Sequence, residues 1–240
     1  MAGRGAPKGG KKPTRAGTAR GATAKRPAKS GSAGAKKPTP PPPAGPFRLG
    51  AIPGATPGKW IDIWQERMPR TVLELVPLEV AAQEEALRSG QVDAALVRPP
   101  VDTDSWHLIR LYEETVVVAF SADSHLAAGE ELTVEDLEGE VLIVPADDVV
   151  DPHVAGTAAP AFAAPSTTAD AIEIVASGVG IVIVPMSLAR LHHRKDVEYR
   201  PLSGAATAPV GFAWPREDAS PLVDAFIGIL RGRTAQSSRD

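Results

Sequence analysis

From Phe47 onward, short apolar runs alternate with amphipathic stretches of helical period. In the first half of this region the apolar runs predict three strands, at 47–52, 71–79 and 92–97. Two helices are predicted between them, one capped by Thr56 and one over 80–90. This β-α-β-α-β series is typical of a parallel sheet covered by helices.

A second set of elements is predicted beyond residue 105. The patterns predict strands at 106–114, 115–121, 141–144, 181–185 and 210–214. They predict helices at 167–178, 186–194 and 221–232. The segment 147–165 has no clear period and is expected to be a loop. The region has the size of one large domain or of two small lobes.

Residues 1–46 differ in composition from the rest of the chain. They contain no Val, Ile, Leu, Phe, Trp or Tyr and no acidic residue, but they carry 4 Arg and 7 Lys. Such a segment cannot bury enough apolar surface to offset the entropy of ordering, so a disordered arm is expected. A short disordered tail is expected at 233–240. The residues after 46 carry 15 basic and 29 acidic side chains, a net charge of −14.

The basic arm has more than one interpretation. Its positive charge favours non-specific contact with the phosphates of DNA through residues 1–46. The arm has no aromatic side chain to stack on bases, so such contact would be salt-sensitive and independent of sequence. The alternatives are a solubilising tail and a start codon placed too far upstream.

The absence of cysteine and of long apolar runs limits the cellular setting. The chain contains no Cys, which suits a reducing compartment. It shows no secretory signal and no apolar run near the roughly 20 residues of a membrane span. A cytoplasmic protein without membrane contact is therefore expected.

The loop GAIPGATPGKW, residues 50–60, resembles a phosphate-binding loop at first sight. Only three residues separate Gly54 from the Gly-Lys pair, one fewer than a P-loop has, and Trp60 stands where a magnesium-binding hydroxyl belongs. A nucleotide site is therefore not expected. The loop instead joins a predicted parallel strand to a helix, a common position for ligand sites and a favourable one for a small anion.

Two further features could contribute to a ligand site. Arg98 directly follows the strand 92–97, so it is expected on the same rim as the 53–58 loop, where an arginine suits a carboxylate. A surface arginine paired with a nearby acid is an equally good interpretation. Thr167 and Thr168 indicate mainly a helix cap, with a second ligand-facing helix N-terminus as the alternative.

The residue types of metal and catalytic sites do not form a recognisable pattern. Asp147, Asp148, Asp151 and His153 share one loop, but they lack the Gly turn and the terminal Glu of a calcium loop. Neither a G-x-S-x-G elbow nor an H-E-x-x-H motif occurs. The sequence therefore predicts neither catalysis nor a metal or cofactor.

Four stretches of the chain occur in the order and spacing of one known family. They are FRLGAIPGATPGKWIDIWQERMP, EALRSGQVDAALVRPP, LYEETVVVAFSADSHLAAGEELTVEDLEGEVLIV and IVASGVGIVIVP. Each is weak alone, but together they resemble the substrate-binding (effector) domain of LysR-type transcriptional regulators over nearly all of 47–232.

This resemblance implies an α/β fold of the two-lobed, type II periplasmic-binding-protein-like kind. Lobe I would take 47–117 and 221–232, lobe II would take 118–213, and the crossing strands would lie near 115–121 and 209–214. A small-molecule effector, often a carboxylate, would bind between the lobes. The implied ligand-binding positions are Gly54, Ala55, Thr56, Val80, Arg98, Thr167 and Thr168. The family also implies a homodimer.

The front of the chain departs from the family pattern. Residues 1–46 have no large apolar side chain except Met1, so they cannot form the core of the family's winged helix-turn-helix. The expected function is an effector-binding module in transcriptional regulation without its own sequence-specific DNA-binding head. The alternatives are a ligand-free heterodimerisation partner of full-length regulators, a protein associated with DNA through the basic arm and, least favoured, an enzyme on the same fold.

Overall fold

The structure is a computed structural model that describes residues 45–232, so the predictions for 1–44 and 233–240 lie outside it. Its strands are β1 at Phe47–Ala51, β2 at Leu73–Pro77, β3 at Ala94–Val97, β4 at Trp106–Glu114, β5 at Val116–Ser121, β6 at Val182–Pro185, β7 at Val197–Pro201 and β8 at Ala208–Pro215. Its helices are α1 at Gly58–Arg67, α2 at Gln83–Arg88, α3 at Thr168–Ala176, α4 at Met186–Leu191 and α5 at Pro221–Leu230. None of these helices has the length and apolarity needed to cross a membrane.

The first sheet has the strand order β2-β1-β3-β8-β4. β1 pairs in parallel with β2 and β3, which confirms the parallel arrangement predicted for the first three strands. β8 runs antiparallel to both of its neighbours, β3 and β4. β4 therefore points in the same direction as β1 and β3, and these three strands end at one edge of the sheet.

The second sheet has three antiparallel strands in the order β6-β5-β7. Alternate residues of β5 face two different apolar clusters, Val116, Val118 and Phe120 on one side and Val117 and Ala119 on the other. Because both faces of this strand are covered, it needs a continuous apolar run rather than an alternating pattern. The run TVVVAFS is therefore a correct strand signal.

The chain crosses between the two sheets at Thr115, between β4 and β5, and again in the segment 202–207, between β7 and β8. These crossings correct the expected lobe boundaries. β8 pairs with β3 and β4, so 208–215 belongs to the first sheet and not to the second lobe. Likewise, Val116 and Val117 pair with strands of the second sheet. The crossings are thus short links, and no strand is shared by both sheets.

The two lobes have cores of different composition. In the first lobe, Phe47 stacks on Trp64 with ring centroids 4.9 Å apart. Phe226 of α5 lies 5.3 Å from Phe47 and 5.4 Å from Phe212, so the C-terminal helix packs into this lobe. The second lobe is built mainly from Val, Ile, Leu and Ala, with Phe120 as its one buried aromatic ring among the described residues.

Several predicted elements differ from the structure. α1 begins at Gly58 with Pro57 in the N-cap position and no side-chain cap, so the predicted capping role of Thr56 is wrong. The predicted helix over 80–90 is a 3₁₀ turn at Val80–Ala82 followed by the short α2.

Two differences concern strands. The predicted strand 141–144 forms only isolated bridges, one from Val141 to Ala158 and one from Leu142 to Ile181. β7 is not predicted by the sequence, because four of its five residues are partly exposed and its letters VEYRP show no apolar run.

Candidate functional site

The carboxyl ends of β1, β3 and β4 bring three separate parts of the chain together. Ala51 of β1 lies opposite Leu96 of β3, so the loop after β1 and Arg98 after β3 leave the sheet side by side. This confirms that Arg98 and the 53–58 loop share one rim. β4 ends at the same edge with Glu114, the residue before the crossing to the second lobe.

A cavity of about 530 Å³ lies between the two lobes. The first lobe contributes Gly54, Ala55, Thr56, Tyr112, Glu113 and Glu114. The crossing residue Thr115 also lines the cavity, and the second lobe contributes Met186, Ser187, Arg190 and Leu191 of α4. The volume falls within the range of roughly 300–1,000 Å³ that is usual for small-molecule sites.

Arg98 does not line this cavity, because its side chain is buried and paired with Glu114. Its side chain is 4% exposed, and its Nη2 lies 2.8 Å from Oε2 of Glu114, whose side chain is 9% exposed. The Ser187 hydroxyl donates to the same Oε2 at 2.9 Å and accepts a longer hydrogen bond, 3.4 Å, from Arg98 Nη2. The three side chains therefore link the ends of β3 and β4 in the first lobe to α4 in the second.

The backbone N–H and carbonyl of Arg98 are also hydrogen-bonded. Gln83 Oε1 accepts from the Arg98 N–H, and Gln83 Nε2 donates to the Arg98 carbonyl, both at 2.9 Å. The buried Gln83 amide thus acts as a substitute strand neighbour for β3. Within residues 45–232, the fully buried side-chain nitrogen and oxygen atoms without a hydrogen-bond partner are Nε and Nη1 of Arg98.

Gly54 is the point at which the loop after β1 meets α4. Its φ of +81° is in the left-handed region, which side-chain-bearing residues rarely adopt. A Cβ at this position would overlap Oγ of Ser187 and lie 2.9 Å from its Cβ. The lobes can therefore approach this closely only because residue 54 has no side chain.

The start of α4 is fixed to the crossing between the lobes. β6 pairs with β5 so that Pro185 lies opposite Val116, and the Met186 N–H donates to the Thr115 carbonyl at 2.9 Å. Ser187 is the next residue, which places its hydroxyl beside the last residue of β4. The cavity is thus built directly at the first crossing.

The remaining predicted ligand positions lie elsewhere in the structure. Val80 begins the 3₁₀ turn after β2 and does not line the cavity. The Thr167 hydroxyl accepts from the Asp170 N–H, and the Asp170 carboxylate accepts from the Thr167 N–H, which is a complete capping box. Thr168 is buried and donates to Asp147 Oδ1 at 2.9 Å. Both threonine hydroxyls are therefore used within the second lobe.

Three side chains that the sequence did not single out add polar groups to the cavity, namely Tyr112, Glu113 and Arg190. Arg190 is exposed and forms no salt bridge with any of residues 45–232. Glu113 accepts from the Thr207 hydroxyl and lies 3.8 Å from Arg110, with half of its side chain exposed. Burial raises the pKa of Tyr112, and the charge of Glu114 raises it further, so its phenol stays neutral.

Other candidate sites are weaker. A second cavity of about 730 Å³ lies wholly in the second lobe, between Leu142 and Val144 and the Ala- and Pro-rich segment 152–164. It is mainly apolar and contains none of the predicted ligand positions. In the described part of the chain, no three His, Asp or Glu side chains come together as metal ligands, so the 147–153 loop forms no such group.

Comparison with curated proteins gives transcriptional regulators. The Hca operon transcriptional activator HcaR of Escherichia coli (strain K12) is 27% identical over 201 residues, which cover 78% of this chain and 67% of the relative. The HTH-type transcriptional regulator TtuA of Agrobacterium vitis is 30% identical over 209 residues, which cover 77% of this chain and 66% of the relative. The chain spans about two thirds of the length of these relatives.

Comparison with solved structures supports the fold. The BenM effector binding domain with its effector benzoate is 20% identical, with a TM-score of 0.64 over 82% of this chain and 95% of that chain. The oxidized form of OxyR is 22% identical, with a TM-score of 0.62 over 82% of this chain and 98% of that chain. These likenesses confirm the predicted two-lobed, periplasmic-binding-protein-like α/β fold. The family model described as the LysR substrate binding domain matches residues 41–235, and the chain therefore belongs to this family.

Proposed function

We propose that this chain binds a small-molecule effector in the cavity between its lobes and takes part in transcriptional regulation without catalysing a reaction. The observation that carries the proposal is the cavity of about 530 Å³, whose walls come from both lobes and from the crossing residue Thr115. The membership in the LysR substrate-binding domain family supports it. So does the fold shared with an effector binding domain that was solved with its effector.

A ligand in this cavity contacts both lobes at once, and this gives it a mechanism of action. It can only shift the arrangement of the lobes by as much as its affinity differs between the arrangements. Because Gly54 and Thr56 belong to one lobe and Ser187 and Arg190 to the other, ligand contacts change when the lobes move. The movement would then bias the assembly of the protein, as in other hinged binding domains.

A screen for ligand-induced thermal stabilisation tests the proposal. Small carboxylates, amines and neutral metabolites are added to the full chain, and a true ligand raises the unfolding temperature further as its concentration increases above its Kd. In the variant Thr56→Trp, a large side chain at an exposed lining position fills the cavity. We expect this variant to abolish the ligand-induced rise in unfolding temperature. The control Thr103→Trp places the same side chain on an exposed loop outside both cavities.

Two outcomes would contradict the proposal. One is a ligand whose effect survives in Thr56→Trp, because it would bind outside the cavity between the lobes. The other is the failure of a broad library to stabilise the wild type at all. That outcome, together with co-purification of a full-length regulator, would favour the ligand-free heterodimerisation partner.

The role of residues 1–46 is a separate proposal. Their 11 positive charges support non-specific DNA contact, which would tether the module to DNA without reading its sequence. Gel shifts with and without residues 1–46 should show binding only with the arm, and this binding should weaken steeply with salt. Equal binding by the two proteins would contradict the role.

The proposed setting is the cytoplasm, and the proposed assembly is a homodimer, as the family resemblance implies. Light scattering of the purified full chain tests the assembly, with and without a ligand from the screen. A monomer under both conditions would contradict it.

A further inference from the structure

The two carboxylate oxygens of Glu114 have different surroundings. Oε2 accepts from Arg98 and from Ser187, so the position of the carboxylate is fixed from both lobes. No hydrogen bond to Oε1 is donated by any of residues 45–232. Oε1 is also not among the fully enclosed atoms without a partner, which all belong to Arg98. Since Glu114 lines the cavity, Oε1 is the oxygen of its carboxylate that is left for a donor on a ligand.

The cations near the cavity are not equivalent. Arg98 is buried, lies behind the wall and is already paired with Glu114. Arg190 lines the opposite wall on α4, is exposed and has no salt-bridge partner among residues 45–232. The cavity therefore presents a fixed acceptor on its first-lobe side and a free cation on its second-lobe side.

We propose that the effector is a zwitterion that carries a protonated amine, with the amine on Glu114 Oε1 and an anionic group toward Arg190. The inference rests on the proposed function, because it assigns a ligand class to the same cavity. An ammonium group supplies several N–H donors, and its hydrogen bond to a carboxylate is of the strong, charge-assisted kind. The neutral phenol of Tyr112 adds a donor or acceptor without changing the charge balance.

A simple carboxylate, the ligand expected from the sequence, fits this arrangement less well. Its negative charge beside Oε1 would meet the carboxylate of Glu114, a side chain that is 9% exposed and already paired with Arg98. To reach Arg98 it would have to displace Glu114 and break the hydrogen bonds that Arg98 and Ser187 make to Oε2. Among residues 45–232, the unpaired cation that the cavity offers it is Arg190.

Matched trios of compounds test the inference on the wild-type full chain. Each trio holds an amino acid (leucine, phenylalanine or glutamine), the acid that lacks only the α-amine and the amine that lacks only the carboxylate. Affinities are measured by calorimetry and by the shift in unfolding temperature. We expect the amino acid of at least one trio to bind about 10- to 100-fold more tightly than its deamino acid, the usual effect of one hydrogen bond to a charged group.

Variants then locate the discriminating group. Glu114→Gln keeps the shape of the side chain and removes its charge, so it should erase the advantage of the amino acid over the deamino acid. Because this change leaves Arg98 uncompensated and can unfold the chain, the double variant Arg98→Met with Glu114→Gln removes both charges together. Glu131→Gln, at an exposed position outside both cavities, is the matched control and should keep the discrimination.

The outcomes separate this inference from the proposed function. Deamino acids that bind as tightly as the amino acids would overturn the inference. If the binding of these deamino acids is lost in Thr56→Trp, the proposed function still holds, because they bind in the cavity. If no trio binds but a library compound without an amine binds in the cavity, the inference again fails and the proposed function holds. If neither the trios nor the library bind, both proposals fail.

Discussion

The two walls of the cavity hold their charges in opposite ways. On the first-lobe wall, the charge of Glu114 is nearly buried and already paired with Arg98, which does not itself line the cavity. On the second-lobe wall, Arg190 is exposed and has no salt-bridge partner among residues 45–232. A buried, paired charge is part of the folded structure, whereas an exposed, unpaired one is available to a ligand. The arginine that stands out in the sequence is thus the one with the stronger structural role.

The largest expected effect is on the first wall. Arg98→Ala leaves the Glu114 carboxylate buried without its partner, which should lower the free energy of unfolding by about 3–5 kcal/mol. Urea unfolding of the full chain measures this. The double variant Arg98→Met with Glu114→Leu should be much closer to the wild type, since an apolar pair needs no charge compensation. A loss below about 1 kcal/mol in Arg98→Ala would contradict the structural role, because this is the value typical of exposed pairs.

The second prediction concerns the contact between the walls. Gly54→Ala should cost about 1–2 kcal/mol for a side chain at positive φ, and a further 1–3 kcal/mol or so for the overlap with Ser187. Gly178→Ala is the matched control, because its φ of +83° is similar and a Cβ there would meet no atom within 4 Å. The difference in unfolding free energy between the two variants isolates the contact of the lobes. Equal losses would show that the lobes do not touch at Gly54 in solution.

A smaller effect is expected away from both walls. Thr167→Ala removes the capping box of α3 and should lower the free energy of unfolding by about 1 kcal/mol. Thr56→Ala is the control, since Thr56 caps no helix, and should change it by less than about 0.5 kcal/mol. Ligand affinity should not change in Thr167→Ala, whose residue lies outside the cavity. A clear loss of affinity there would restore the second helix N-terminus as a ligand site.

The smallest effect on stability is expected for the second wall. Arg190→Gln removes an exposed side chain without a salt bridge, so the free energy of unfolding should stay within about 0.5 kcal/mol of the wild type. Binding of any anionic ligand from the screen should nevertheless weaken measurably by calorimetry. A change in stability larger than that of Thr167→Ala would remove the contrast between the walls.

The sequence predicts those parts of this fold that are encoded locally. The strands at 106–114 and 116–121 follow from β-branched and apolar runs, and the Gly54 loop follows from its position between a strand and a helix. The shared rim of this loop and Arg98 follows from the parallel order of β1 and β3, which neighbouring strand-helix units determine.

The rest depends on contacts between distant parts of the chain. Glu114 and Ser187 lie 73 residues apart and meet only because β8 returns between β3 and β4 and because β6 pairs with β5. No local pattern marks either residue as part of a site. The only available signal is that Glu114 ends a strand and Ser187 comes two residues after one, and many polar residues share that feature. For the same reason the sequence could not decide between the two interpretations of Arg98.

The position of the cavity at the Thr115 crossing has a mechanical consequence. The Met186 N–H is bound to the Thr115 carbonyl, so the second-lobe wall is anchored where the chain changes sheets. In any rotation of the lobes about this point, atoms beside the fulcrum travel least and the far ends of the lobes travel most. A ligand that moves the residues around it by a fraction of an ångström would therefore move the outer surfaces of the lobes by a larger distance.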